Sequence, residues 1–360
     1  MTSRPKYVPL SDYDARRIGI IKPSALGDIT HALPVLTALR RRYPHAHITW
    51  VVNREYQPLL IGHPDLDATL AFDRGAARIG PLDAMRTYFQ FACSLRRQRF
   101  DLVVDLQGLL RSSLMALATG ASRRVGLSSA REGAALFYTD VVHVKDPDRT
   151  HAVDRCWRVA EAFGVGDGPK SFRVPMCERE RQWAEQKLGA LPRPWLLLGV
   201  GARWQTKRWP PEHFAALVQR SWRLFGGTAI FIGGRDDTDV ARATARQLSG
   251  PVLDLTGQTT LPQLVAVLAQ ADVMIANDTG PLHLAVALGR PVVAPYTCTS
   301  ILENGPYGQT SGAVQSRVWC QGSYLTRCPR LECMAELTPE RLWPALEEVL
   351  MRWRIRNRSA

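Results

Sequence analysis

Short apolar runs with the composition of β-strands alternate with longer segments of helical spacing along the whole of this 360-residue chain. Such alternation is typical of βαβ units, in which helices connect parallel strands. The strands are predicted at Arg17–Lys22, Ile48–Val52, Ala68–Phe72, Leu102–Asp105, Arg124–Gly126, Trp195–Gly199, Ala229–Ile232, Val252–Leu255, Val273–Ala276 and Val292–Pro295. The helices are predicted at Ile29–Arg42, Asp83–Arg97, Leu109–Ala118, Val153–Phe163, Glu178–Leu188, Pro211–Leu224, Thr238–Leu248, Pro262–Ala269, Leu282–Leu288 and Pro339–Arg358. The pattern predicts an α/β fold with two Rossmann-like, doubly wound domains in tandem.

The connection between the two domains is predicted within residues 164–194, which are rich in glycine and proline. We therefore place the boundary near residue 190, with one domain at 1–190 and a second at 191–338. Residues 339–360 are predicted to form a terminal helix, and packing back on the first domain is one option for it. Its apolar residues, interspersed with arginines, suit either an anionic membrane surface or a domain core: Leu342, Trp343, Leu346, Leu350 and Trp353.

Charge and composition restrict the partners and the compartment. The chain has 46 Lys and Arg against 33 Asp and Glu, a net charge of +13, which favours an acidic partner. No apolar stretch is long enough for a spanning helix, and the N-terminal residues do not resemble a signal peptide. Seven cysteines, an odd number, suit reduced thiols. We expect a cytoplasmic protein. The arginine clusters have no recognisable nucleic-acid-binding module, so we expect no nucleic-acid partner.

In the first half, two predicted strands end in polar residues. Strand Arg17–Lys22 is followed by KPSALGDITHALPVL, which lacks both the dinucleotide pattern G-x-G-x-x-G and the Walker pattern. Asp28 in this turn has two interpretations, a helix-capping carboxylate or a general base. Strand Leu102–Asp105 ends in a second polar group at the same sheet edge, formed by Asp105, Gln107 and Arg111. This group has two interpretations: it binds a ligand, or Asp105 caps the following helix and Arg111 is solvated.

In the second half, the loop GVGARWQTKRWPPEHF follows strand Trp195–Gly199. Gly199 and Gly201 permit close approach of a ligand to the backbone, and the fixed positive charges there suit a diphosphate: Arg203, Lys207 and Arg208. The alternative is a flexible basic surface loop.

The turn NDTG after strand Val273–Ala276 is the most specific element. Asp278, Thr279 and Gly280 bring a carboxylate, a hydroxyl and free N–H groups to a helix N-terminus, where anions bind. His283 lies in the first helical turn, where the helix dipole favours a neutral, hydrogen-bonding imidazole. Alone, His283 would be interpreted as a structural histidine; beside NDTG it is a candidate site residue.

Cys320, Cys328 and Cys333 lie close together in the sequence, but a zinc site needs a fourth ligand. Cys298 supplies it only if the fold brings that residue to the other three. We predict neither a metal nor a structural disulfide at these cysteines.

Several motifs together resemble the ADP-heptose:lipopolysaccharide heptosyltransferases, most closely those adding the first heptose of the inner core. From Arg17 onward, the resemblance rests on KPSALGDITHALPVL, DLVVDLQGLLRSS, AREGAALFYT, HAVDRCWRVAEAFG, GARWQTKRWPPEHF and NDTGPLHLAVALGRPVVAPY. It implies a GT-B fold, in which two Rossmann-like domains face each other across a cleft. The expected localisation is peripheral, at the inner face of the inner membrane.

The resemblance also implies residue roles and partners. Asp28 is the implied general base of an inverting transfer, and Lys207 neutralises the departing diphosphate without a metal or another cofactor. The implied donor-binding residues, for a nucleotide sugar such as ADP-heptose, are Gly201, Arg203, Lys207, Asp278, Thr279, Gly280 and His283. The implied acceptor-binding residues, for an anionic glycolipid of the Kdo–lipid A type, are Ser24, Gln107, Arg111 and Arg131. The loop GVGARWQ lacks the threonines of the first-heptose enzymes, so backbone N–H groups and Arg203 are expected to contact the diphosphate.

Two alternatives stay open. The same fold could use another nucleotide sugar or acceptor, or epimerise the nucleotide sugar. A non-catalytic anion- or nucleic-acid-binding protein would also explain the positive charge.

Overall fold

The chain forms two compact units, Met1–Pro175 and Met176–Ala360. The computed structural model describes residues 8–73 and 80–358. Among these residues, no helix combines the length and the apolar character needed to cross a membrane.

The first unit is built on a six-stranded parallel sheet in the order β3-β2-β1-β4-β5-β6. Its strands are β1 (Arg17–Ile21), β2 (His47–Asn53), β3 (Ala68–Phe72), β4 (Leu102–Asp105), β5 (Arg123–Leu127) and β6 (Asp140–Val142). Its helices are α1 (Leu26–Arg42), α2 (Pro81–Arg97), α3 (Leu110–Thr119) and α4 (Ala152–Ala162). Helices α2 and α3 pack side by side, and α1 packs on α4.

The second unit repeats this arrangement in the order β12-β11-β10-β7-β8-β9. Its strands are β7 (Trp195–Gly199), β8 (Thr228–Phe231), β9 (Val252–Asp254), β10 (Val273–Ala276), β11 (Val292–Tyr296) and β12 (Ala313–Gln315). Its helices are α5 (Glu178–Leu188), α6 (Pro211–Phe225), α7 (Thr238–Ala245), α8 (Leu261–Gln270), α9 (Gly280–Ala287), α10 (Ile301–Asn304), α11 (Glu332–Glu336) and α12 (Pro339–Arg358).

In each sheet the strand order reverses at a central pair, β1 with β4 and β7 with β10. The carboxyl ends of such a pair diverge into loops on opposite sides, which makes this point the usual ligand site of doubly wound sheets. All ten predicted strands are present, with ends shifted by no more than one residue. The three-residue edge strands β6 and β12 were not predicted.

The boundary between the units lies at Pro175 and Met176 rather than near residue 190. Helix α5, which we assigned to the first domain, packs on α8 of the second unit. Gln270 Nε2 on α8 also donates a hydrogen bond to the carbonyl of Arg181 on α5, at 3.3 Å. The prediction of domains at 1–190 and 191–338 is corrected accordingly.

Helix α12 belongs to the core of the second unit. It packs on α6 and β11, and the side chains that suggested a membrane surface are buried there: Leu342, Trp343, Leu346 and Leu350. The guanidinium of Arg220 lies 4.3 Å from the ring centre of Trp343. These four residues face the core of the second unit and are therefore not available for contact with a membrane surface.

Candidate active site

The second unit buries a carboxylate at the carboxyl end of its central strand pair. Asp278, two residues after β10, is only 5% exposed. Its Oδ2 accepts hydrogen bonds from Lys207 Nζ at 2.6 Å and from Thr299 Oγ1 at 2.8 Å. His283 Nε2 lies 3.1 Å from Oδ1, and the Tyr296 hydroxyl, which donates to the Asn304 carbonyl at 2.9 Å, lies 3.5 Å from Oδ1. One carboxylate therefore connects the β7 loop, α9 and the end of β11.

The surroundings of Asp278 keep it ionised. Burial raises the pKa of a carboxyl group, but the hydrogen bond with His283 and the charge of Lys207 outweigh it and hold the pKa of Asp278 well below its ordinary value. The same environment raises the pKa of the buried Tyr296 hydroxyl well above its ordinary value, through burial and the Asp278 charge. An ionised carboxylate can only accept hydrogen bonds, so His283 Nε2 is the donor in its contact with Asp278 Oδ1.

Lys207 is held rather than mobile. Its ammonium donates to Asp278 Oδ2 and, at 3.4 Å, to the backbone carbonyl of Asp278. The same ammonium lies 4.6 Å from the ring centre of Trp204. The Lys207 side chain is 17% exposed, so it keeps a solvent-accessible side. A lysine fixed in this way presents positive charge to a ligand at a low cost in side-chain entropy.

Asn277 fixes the loop after β7 against the turn after β10. Its Nδ2 donates to the Val200 and Gly201 carbonyls at 2.8 and 3.3 Å, and its Oδ1 accepts the Trp209 N–H at 3.1 Å. Thr279 precedes α9, and its hydroxyl donates to the Asn277 carbonyl at 3.2 Å. With Gly280 as the first residue of α9, the predicted NDTG turn does open a helix.

The structure also shows the surroundings of the two glycines and of Arg203 in the β7 loop. A side chain on Gly201 would place its Cβ only 1.9 Å from Asp237 Oδ1, and one on Gly199 would contact Ala276 Cβ at 2.8 Å. Packing inside the unit therefore already requires both glycines. Arg203 is exposed on the loop surface.

The first unit places Asp28 in the first turn of α1, where it is half-buried. Its Oδ2 accepts the Ala25 N–H at 3.0 Å, so it caps the helix from the third position of the first turn rather than from the N-cap itself. Oδ1 of Asp28 has no hydrogen-bond partner among the residues the structure describes. Capping and proton transfer are therefore compatible, since they use different oxygens.

The predicted acceptor residues gather around the same sheet edge. The Ser24 N–H donates to Gln107 Oε1 at 3.4 Å, and the Arg131 N–H donates to the Gly108 carbonyl at 2.8 Å. Arg111 is half-buried in the first turn of α3. These contacts bring the loops after β1, β4 and β5 together.

Asp105, in contrast, is structural. It is fully buried and accepts the Gln107 N–H at 2.8 Å and the Tyr138 hydroxyl at 2.8 Å. Burial raises its pKa against the lowering effect of these hydrogen bonds. The sequence left Asp105 as either a ligand-binding group or a helix cap. The structure shows it as a buried carboxylate that organises the β4 loop.

Sequence reasoning missed three residues of these sites. Lys22 is buried at the end of β1, and its Nζ donates to the Leu106 carbonyl at 2.8 Å. A lysine at the end of an apolar strand could have identified Lys22 from the sequence. Tyr296 is the last residue of β11 and Thr299 follows three residues later, so only the strand order, which places β11 beside β10, could have shown that they reach Asp278.

The fold does bring Cys298 to the other three cysteines. Cys298, Cys320, Cys328 and Cys333 all line one cavity of about 30 Å³, and all four are free thiols. Burial, together with the neighbouring Cys320 thiol, raises the pKa of Cys333 to about 11, so this thiol is protonated at neutral pH. Within the described part of the chain, no three or more His, Cys, Asp or Glu side chains are arranged to hold a metal ion.

Residues 88–333, more than half of the chain, match the model of glycosyltransferase family 9, the heptosyltransferase family. This chain belongs to glycosyltransferase family 9. The family 9 assignment confirms the predicted glycosyltransferase over a non-catalytic binding protein, and it confirms the suspected heptosyltransferase resemblance.

Curated relatives of this family 9 enzyme cover most of its length. It is 29% identical over 361 residues to lipopolysaccharide heptosyltransferase 1 of Pseudomonas aeruginosa, a match that covers 93% of this chain and 98% of the relative. It is 26% identical over 312 residues to lipopolysaccharide core heptosyltransferase OpsX of Haemophilus influenzae, covering 85% and 86%.

Solved structures confirm the fold class. A family 9 glycosyl transferase of Veillonella parvula superposes with a TM-score of 0.82 at 24% identity, covering 97% of this chain and 100% of that one. E. coli heptosyltransferase WaaC with ADP gives a TM-score of 0.69 at 24% identity, covering 92% and 99%. These likenesses establish the predicted α/β class of GT-B type, with two Rossmann-like units.

Replacing Asp278 by Asn tests the buried ion pair. Because the variant leaves Lys207 without its counter-charge, we expect a loss of about 3–5 kcal/mol in the free energy of unfolding at pH 7. The pKa of Asp278 is lowered on folding, so its stabilisation is complete above the unfolded pKa of about 3.9 and disappears as the pH falls below it. The stability difference between wild type and Asp278→Asn should therefore be constant from about pH 5 to 8 and shrink below about pH 4.

Urea unfolding at a series of pH values measures this difference. Asp236→Asn, at an exposed carboxylate of the same unit, is the matched control and should change stability by less than about 0.5 kcal/mol. Equal stabilities of the two variants at pH 7 would contradict the role given to Asp278.

We expect the four cysteines to hold no metal, because the side chains of the described residues do not form a group of three or more ligands arranged around a common point. Elemental analysis of untagged protein should find zinc and iron far below one atom per chain. Chelator and reductant together should leave the melting temperature unchanged. Near-stoichiometric metal that disappears in Cys328→Ser would show instead that Cys298 completes a closed site.

Proposed function

We propose that this enzyme transfers heptose from ADP-L-glycero-D-manno-heptose to the Kdo region of lipid A, in synthesis of the lipopolysaccharide inner core. The observation that carries this proposal is the Lys207–Asp278 pair at the switch point of the second unit. The names of the curated relatives, lipopolysaccharide heptosyltransferase 1 and lipopolysaccharide core heptosyltransferase, support the reaction. An E. coli relative was solved with ADP and with ADP-2-deoxy-2-fluoro heptose, which supports the donor.

In the proposed reaction, Asp28 acts as the general base. The acceptor hydroxyl gives its proton to Asp28, and its oxygen forms a bond to the anomeric carbon of the heptose. The bond from that carbon to the diphosphate oxygen breaks, and ADP leaves with the electron pair. Attack from the face opposite the leaving group inverts the anomeric centre.

The second unit contributes charge stabilisation. Lys207, pre-oriented by Asp278, neutralises the negative charge that develops on the diphosphate, a task for which other enzymes use a metal ion. The N-terminus of α9, with Thr279, Gly280 and His283, adds N–H groups and the helix dipole for the same anion. Gly201 and Arg203 belong to the proposed donor loop as well. No metal or other cofactor takes part.

The first unit holds the anionic glycolipid in the proposed enzyme. Gln107, Ser24 and the two arginines Arg111 and Arg131 supply donors and positive charge at the edge that carries Asp28. The acceptor is anchored in a membrane, so the enzyme acts in the cytoplasm as a peripheral protein at the inner face of the inner membrane. Nucleic acid is not a partner.

Asp28→Asn is expected to lower kcat at least about a hundredfold, the usual size of a general-base contribution. The Asn side chain keeps an oxygen that can accept the Ala25 N–H, so the cap on α1 is preserved. Calorimetry should therefore show an unchanged affinity for ADP. A parallel loss of ADP affinity and turnover would assign Asp28 to the structure or to donor binding.

Lys207→Ala is expected to weaken ADP binding and turnover together, each by at least about tenfold, because the lysine meets the diphosphate in both the bound donor and the leaving group. Lys187→Ala, an exposed lysine on α5, is the matched control and should change neither. Wild-type activity should persist in EDTA. A strict requirement for added divalent metal would contradict the assignment of this charge to Lys207.

A further inference from the structure

The outer side of α3 is unusually apolar. Leu110, Leu114 and Leu117 lie at spacings of four and three, which place them on one side of the helix, and they are 39%, 45% and 44% exposed. The opposite side packs into the core through Met115 and Ala116. An amphipathic helix on a soluble domain normally presents polar residues to water. Helix α3 presents leucines instead.

Neighbouring elements extend this surface. Helix α2 packs beside α3, with Met85 65% and Phe89 69% exposed at a spacing of four. The turn Ala134–Phe137 packs on α3 from another direction and carries Leu136, which is 86% exposed. We call this set the apolar face: Met85, Phe89, Leu110, Leu114, Leu117 and Leu136. Grouped exposed apolar residues of this kind mark an interaction site.

The segments that carry the apolar face contain more basic than acidic residues. The segments 81–97, 110–119 and 131–137 contain five arginines and two acidic residues, Asp83 and Glu132. One of these acids is already engaged, since Glu132 Oε2 accepts the Leu110 N–H at 3.2 Å. Exposed apolar side chains on arginine-rich segments fit a surface that combines hydrocarbon with negative charge.

We propose that the apolar face inserts into the headgroup region of an anionic lipid bilayer, while Arg86, Arg96 and Arg97 of helix α2 pair with lipid phosphates. This inference rests on the proposed function, because a membrane-anchored acceptor is what brings the enzyme to the bilayer. Helix α3 begins two residues after Gly108, whose carbonyl accepts the Arg131 N–H. Insertion of α3 therefore holds the acceptor edge of the first unit at the lipid surface.

The charges also argue against a second copy of this chain as the occupant. In a two-fold dimer the same patch meets itself, so the arginines of one copy would face those of the other. An anionic bilayer attracts the arginines instead of repelling them. Salt screens this attraction.

The test is cosedimentation of the full chain with phosphatidylcholine vesicles, with and without phosphatidylglycerol. Wild type should bind the anionic vesicles and be released by high salt. The double variant Leu114→Ser with Leu117→Ser should bind at least about tenfold more weakly, because each leucine inserted into lipid strengthens partitioning by about that factor. Phe89→Ser, on a different helix, should give a similar loss. The matched control Leu302→Ser, at a 55% exposed leucine of the second unit, should bind like wild type.

The outcomes separate this inference from the proposed function. Heptose transfer to a water-soluble acceptor without acyl chains should be equal in wild type and the double variant. Failure of wild type to transfer heptose would overturn the proposed function and leave the vesicle result standing. Equal vesicle binding by wild type and double variant would overturn the proposal that the apolar face binds membranes. A wild-type dimer that the double variant converts to monomer, with no change in vesicle binding, would overturn it as well.

Discussion

The ionised carboxylate of Asp278, buried beside Lys207, is the interaction on which the second unit's site depends. Burial alone would neutralise the carboxyl group, so its charge persists only because Lys207, His283 and Thr299 all contact it. Each partner comes from a different part of the chain. The pair therefore fixes the relative positions of the β7 loop, α9 and the end of β11. A ligand that needs positive charge meets a lysine already oriented for it.

The two units apply the same topology to different chemistry. Each places a turn after the first strand beside a turn after the fourth, where a doubly wound sheet opens. In the second unit that opening holds a paired lysine, suited to a diphosphate. In the first it holds Asp28, whose Oδ2 caps α1, together with the buried ammonium of Lys22. In the proposed mechanism, Asp28 is the base and Lys207 supplies the positive charge for the leaving diphosphate.

Local pattern was sufficient for the elements and for the turns that carry polar residues. Asp28, Asp278 and His283 could be singled out because each follows a buried strand at a helix start. The partners of Asp278 could not, because Thr299 and Tyr296 reach it only through the adjacency of β10 and β11. The roles of α5 and α12 were missed for a related reason. An amphipathic pattern shows that a helix buries one side, but not against which sheet that side packs.

The most direct test of this account is the identity of the nucleotide that the enzyme binds without metal. Thermal unfolding of the full chain in EDTA, with ADP, UDP, GDP or CMP at equal concentrations, measures it, since a ligand that binds the folded state raises the melting temperature. We expect a clear rise with ADP and little or none with the other three. A rise with UDP or GDP as large as that with ADP, or no rise with ADP until metal is added, would contradict it.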